Sequence, residues 1–101
     1  MTIMVKLDSN TFGDFVNSET PTLIMFTGPQ CRACESAKQA LGRLHLVEVG
    51  LVDVHSKLAS TWMITTLPTF LLFRNGRLCG RKHGWSNVHK LEEWIIELLQ
   101  E

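Results

Sequence analysis

Apolar residues in this chain fall into short blocks, and their spacing changes from block to block. Thr22 to Phe26 (Thr-Leu-Ile-Met-Phe) is a continuous run with Pro21 before it and Gly28-Pro29 after it. Such a run fits a strand buried on both faces, in a sheet with helices on either side. His45 to Val54 is the segment richest in β-branched residues and predicts another strand. Gly50 inside it signals close packing or a bulge. Leu67 to Phe73 predicts a further strand with Pro68 at its start, because proline has no N–H for a ladder. Asn75-Gly76 is a strong hairpin signal, so Arg77 to His83 is expected to return antiparallel until Gly84 breaks it. Met4 to Leu7, beginning near Ile3, fits a short opening strand.

Between these runs the period lengthens to that of a helix. Phe12, Phe15 and Val16 are helically spaced behind Asp8 or Ser9 as cap, in a helix kept short by Gly13. Asn17 to Pro21 reads as a loop, since Pro21 bars helix continuation. A longer helix is expected from Cys31 or Arg32 to about Leu44, its inner face made of Ala33, Ala37, Ala40, Leu41 and Leu44. Ser56 to Trp62 has room for a short helix only. Ser86 or Asn87 caps the last helix, with Val88, Leu91, Ile95, Leu98 and Leu99 as its apolar stripe. The order β-α-β-α-β-α-β-β-α predicts an α/β fold, a central mixed five-stranded sheet flanked by about four helices. There is no internal repeat or linker, and 101 residues suit one domain over 1–101.

Composition changes this picture little: 45% hydrophobic and 20% charged residues are ordinary for a chain with one core. The N-terminal residues lack a signal-peptide pattern and no run is long enough for a bilayer helix, so a cytoplasmic, reducing location is the expectation. Three cysteines leave one over from any pairing. In a reducing compartment a close pair is more readily redox-active or metal-binding than structural. The net charge of zero conceals an asymmetry. No acidic residue lies between Asp53 and Glu92, where Lys57, Arg74, Arg77, Arg81, Lys82 and Lys90 all fall. One reading is a solvated hairpin whose charges keep an edge strand from pairing; the other is a patch that steers an acidic protein partner. Without interleaved aromatics it offers no stacking platform for nucleic acid.

Chemistry concentrates in Thr27 to Lys38 (Thr-Gly-Pro-Gln-Cys-Arg-Ala-Cys-Glu-Ser-Ala-Lys). A strand, a Gly-Pro turn and then Cys31-Arg32-Ala33-Cys34 opening a helix place both sulfurs at a positive helix end. That end favours the thiolate, the form that attacks disulfides. Cys31, at the more exposed first position, is the expected nucleophile and Cys34 the resolving thiol. An ordinary cysteine is ~3% thiolate at neutral pH, and a pKa of roughly 7 raises that to about half. A purely structural staple is the plainer alternative, but closing a loop of ~4 residues stabilises by only about 2 kcal/mol. Cys31, Cys34, Cys79 and His83 also imitate a three-cysteine, one-histidine zinc set. The predicted hairpin separates Cys79 from the pair, and Cys79 reads better as a packing residue.

With Cys31-x-x-Cys34 after the second strand, this order resembles the thioredoxin family nearly from end to end. The other matching block is Leu67-Pro68-Thr69-Phe70-Leu71-Leu72-Phe73-Arg74-Asn75-Gly76, followed by Gly84. The resemblance implies a cis Leu67–Pro68 bond beside the cysteine pair and a peptide-binding groove shaped by Gly84. It implies substrate contacts from Gln30, Arg32, Leu67, Pro68, Gly84 and Trp85, with backbone beside Pro68 open to pair with a substrate strand. The activity implied is thiol–disulfide exchange, as a protein disulfide reductase. Its partners would be disulfide-containing proteins and a separate thioredoxin-reductase-like electron donor, with no bound cofactor, and the chain would act as a monomer. The chain departs from the family in a shorter central helix without the family's kinking proline, and in four places around the site. Gln30 replaces a tryptophan, Arg32-Ala33 replaces Gly-Pro, Met25 replaces a buried acid, and an apolar position near Val49 replaces that acid's lysine. These departures keep open a second expectation, a thioredoxin-fold binding or assembly module with little redox activity.

Overall fold

The computed structural model describes residues 3–100. The elements are β1 (Met4–Lys6), α1 (Phe12–Val16), β2 (Thr22–Thr27), α2 (Arg32–Leu41), β3 (Glu48–Asp53), α3 (Lys57–Thr61), β4 (Thr69–Arg74), β5 (Arg77–His83) and α4 (Val88–Leu99). The strands form one mixed sheet in the order β1-β3-β2-β4-β5. β3 runs parallel to both β1 and β2, whereas β4 is antiparallel to β2 and to β5.

β2 lies at the centre, and all six of its residues are buried. Alternate side chains of a strand point to opposite faces, so its apolar run feeds two cores. Leu23 and Met25 join Ala37, Leu41, Leu44, Val49, Phe70, Leu72, Leu91 and Ile95 beneath α2 and α4. Ile24 and Phe26 join Phe12, Val16, Val52, Leu58, Leu71 and Phe73 beneath α1 and α3. Gly50 sits where a Cβ would strike Leu7, Phe15 and Ile24, so it is a close-packing glycine rather than a bulge.

Several boundaries differ from the sequence expectation for local reasons. Asp8 accepts the Asn10 and Thr11 N–H groups at 2.8 and 3.1 Å, which holds a turn rather than a helix start. The helix opens at Phe12, with Thr11 as its N-cap. α2 ends at Leu41 instead of Leu44 because the Arg43 and Leu44 N–H groups bond back three residues, to Ala40 and Leu41, and tighten the chain. Its buried face includes Cys34 with Ala37 and Leu41, while Ala33 and Ala40 are half-buried. β3 begins at Glu48, leaving His45 and Leu46 exposed. Of the two cap candidates for α4 the structure uses Asn87, which accepts the Lys90 N–H at 3.0 Å, and Ser56 caps α3 by accepting the Leu58 N–H at 3.2 Å.

Candidate active site

β2 delivers the chain into a tight turn. Gly28 permits it, since a Cβ there would come within 2.9 Å of both Leu67 and Val54. Gln30 takes a positive φ of 56°, and Cys31, still extended (φ −114°, ψ 100°), becomes the N-cap of α2. The Cys34 N–H donates to the Cys31 sulfur at 3.2 Å, so an otherwise free donor of the helix end points at this sulfur. Cys31 and Cys34 are joined as a disulfide, with Cα atoms 5.2 Å apart. Cys31 is half-buried and Cys34 completely so. Of the pair, Cys34 has no surface open to another molecule and Cys31 does.

Three contacts bring the distant predicted residues to this pair. The Leu67 side chain lies against Gly28, at the base of the cysteine turn. Leu67–Pro68 is cis, and the buried Pro68 accepts the Gly84 N–H at 2.8 Å. The Trp85 indole N–H donates to the Ser36 hydroxyl at 3.3 Å, tying the turn after β5 to α2. Trp85 also packs its ring 6.3 Å from that of Phe70. Gly84 has φ +80° and nothing near a notional Cβ, so its requirement is backbone conformation rather than space. Gln30 and Arg32 are exposed on the near side of the turn, and a cleft of about 250 Å³ runs past Ser36, Gln39, Arg43, Trp85 and Asn87.

Two contributors were not legible as such in the sequence. Arg81 sits inside the basic run, yet its guanidinium donates to the carbonyls of Trp62 and Met63. It thereby anchors the loop that leads to Leu67–Pro68; sequence shows its charge but not its partners. Thr27 is buried at the end of β2, and its hydroxyl has no hydrogen-bond partner among the described residues. Cys79 stands apart on β5, its sulfur 3.8 Å from the Arg77 carbonyl, and His83 lies 3.5 Å from the Thr69 hydroxyl. Among the described residues no three His, Cys, Asp or Glu side chains gather into a metal-binding group.

The family model described as Thioredoxin matches residues 3–97. Thioredoxin Y2, chloroplastic, of Arabidopsis thaliana is 31% identical over 103 residues, covering 94% of this chain and 62% of the relative. The chain thus spans about six tenths of that protein. Thioredoxin of Rickettsia felis is 26% identical over 96 residues, covering 87% of this chain and 90% of the relative. The crystal structure of thioredoxin from Trypanosoma brucei brucei superposes with a TM-score of 0.83 at 20% identity, over 100% of this chain and 93% of that one. A sheet order, a helix-capping cysteine disulfide and a cis-proline turn in register with a match over 3–97 lead to one conclusion: the chain belongs to the thioredoxin family.

Proposed function

We propose that this protein is a thiol–disulfide oxidoreductase working as a protein disulfide reductase. The carrying observation is the unequal pair: a half-buried Cys31 capping a helix N-terminus, bonded to a fully buried Cys34. In the reduced protein the Cys31 thiolate attacks a substrate disulfide. One substrate sulfur leaves as a thiol after taking a proton, and a mixed disulfide forms. Cys34 then loses its proton and attacks the Cys31 sulfur. The Cys31–Cys34 bond closes, the second substrate thiolate departs, and two electrons have passed from the pair to the substrate.

The helix end stabilises the attacking thiolate. Arg32, exposed one residue further on, adds positive potential. Gln30, Leu67, Pro68, Gly84 and Trp85 line the substrate side, where an extended peptide pairs with backbone beside Pro68. A separate reductase of the thioredoxin-reductase class restores the dithiol. The protein works as a monomer in a reducing, cytoplasmic setting, on disulfide-containing proteins.

The test is reduction of insulin disulfides by dithiothreitol. The wild-type chain is expected to accelerate it, and Cys31→Ser to return it to the uncatalysed rate. An unchanged rate in Cys31→Ser would refute the mechanism.

A further inference from the structure

A cavity of about 350 Å³ has no part in the cycle described so far. It is lined by Lys6 and Leu7 where β1 ends, Thr27 at the end of β2, Leu51 and Asp53 on β3, and Lys38 on α2. Neither cysteine of the pair lines it. The cavity lies at the carboxyl ends of three parallel strands, where α/β sheets form their ligand crevices. Its volume is at the low end of the ~300–1,000 Å³ range of small-molecule sites, which suits a metabolite of few atoms rather than a peptide or a dinucleotide.

Its polar groups are left with capacity to spare. Thr27 is only 9% exposed, and its hydroxyl has no hydrogen-bond partner among the described residues. A buried hydroxyl is costly when unpaired, so something inside the cavity has to meet it. Asp53 is the register partner of Thr27 on β3. One of its oxygens accepts the His55 N–H at 2.8 Å, and the other accepts nothing among the described residues. Lys6 is exposed and forms no ion pair among the described residues. Lys38 pairs with Glu35 at 3.4 Å, an exposed contact of the weak kind that leaves the ammonium's other donors unused. Neither ammonium is paired with Asp53, although all three line one opening.

We propose that this cavity binds a small hydroxy acid, an organic carboxylate with a hydroxyl on a neighbouring carbon. Lys6 and Lys38 bring two positive charges against one negative from Asp53, so the lining as a whole selects an anion. An ammonium only donates, and these two take the ligand's carboxylate in charge-assisted hydrogen bonds. Asp53 decides what else the ligand carries. Its spare oxygen only accepts, so a carboxylate without a donor would meet a like charge there, whereas a hydroxyl gives it a proton to hold. The Thr27 hydroxyl then donates to the oxygen of that same ligand hydroxyl, which satisfies the buried group. Leu7 and Leu51 cover the carbon skeleton. Binding here involves no covalent or redox step and does not depend on the exchange cycle.

The test is titration of the isotope-labelled, oxidised protein with L-malate, followed by backbone amide NMR shifts. Malate is expected to move the Lys6, Thr27 and Asp53 amides saturably at millimolar concentration. Succinate, the same dicarboxylate without the hydroxyl, is expected to bind roughly fivefold more weakly. Lys6→Gln, at an exposed position, is expected to weaken malate binding about tenfold. Thr27→Val is expected to remove most of the preference for malate over succinate, and its amide spectrum away from the cavity reports whether it folds. A cavity that holds water alone gives no saturable shift with malate, and that result overturns the proposal. Shifts reproduced by sodium chloride at equal ionic strength also overturn it, as screening of surface lysines. Succinate binding as tightly as malate, or L-aspartate binding more tightly, overturns the assignment of a hydroxyl to the Asp53 side. Malate affinity unchanged in Lys6→Gln does the same for the carboxylate. Insulin reduction is not part of the readout, so failure here leaves the exchange cycle standing.

Discussion

Cys31 and Cys34 are three residues apart and differ in almost everything that matters to a thiol. Cys31 caps a ten-residue helix and is half-buried, while Cys34 sits inside its first turn with no exposed surface. Iodoacetamide added to the reduced protein is expected to label Cys31 at least about tenfold faster than Cys34, as read by peptide mass spectrometry. In Cys34→Ser the mixed disulfide with substrate is expected to persist, and mass spectrometry finding only free Cys31 would contradict the two-step cycle. The two glycines of the site divide by cause. Gly84→Ala meets open space and strains only a φ of +80°, costing about 1–2 kcal/mol. Gly28→Ala keeps an ordinary backbone but pushes on Leu67 and Val54, each 2.9 Å from its Cβ. It is expected to impair disulfide reduction more than Gly84→Ala does, by shifting the loop before Pro68.

At the level of elements, the β4–β5 hairpin shows how unevenly a sequence discloses its structure. Its turn was legible, because Asn75 and Gly76 tolerate the positive φ values of 54° and 77° that they adopt. The use made of β5 was not legible. Gly80 lies under Leu98 and Trp94 and lets α4 dock, while Arg81 reaches across to the carbonyls ending α3. Arg81→Met is expected to lower stability by about 1–3 kcal/mol in urea denaturation. Arg81→Lys should recover little of this, since one ammonium does not reproduce a planar fork held on two carbonyls. Helix ends were misplaced for a related reason. Whether α1 begins at Asp8 or Phe12 depends on which N–H groups the Asp8 carboxylate takes, and several choices fit the same residues.

Across the whole molecule, charge and covalent linkage act on the same small fold. No acidic residue lies from Val54 to Leu91, and the β4–β5 hairpin carries Arg74, Arg77 and Lys82, so we propose that this hairpin steers acidic substrates towards the protein. Reduction of a disulfide in an acidic peptide is expected to slow as ionic strength rises past a Debye length of ~8 Å, and a neutral peptide to show little change. Opening the Cys31–Cys34 bond releases a loop of ~4 residues, so the oxidised protein is expected to be more stable than the reduced one by about 2 kcal/mol. Equal urea midpoints for the two forms would contradict that.

The sequence by itself determined the element order, the doubly buried central strand, the hairpin and the cysteine pair at a helix start. These are local matters of period, turn residues and spacing, written within a few neighbouring positions. The tertiary structure alone decided that Cys34 joins the core, that Leu67 meets Gly28, Gly84 bonds to Pro68 and Trp85 to Ser36, and that Thr27, Asp53 and Lys38 border one cavity. Those are contacts between segments far apart in the chain. They follow from how the sheet and helices pack, which no single stretch of residues specifies.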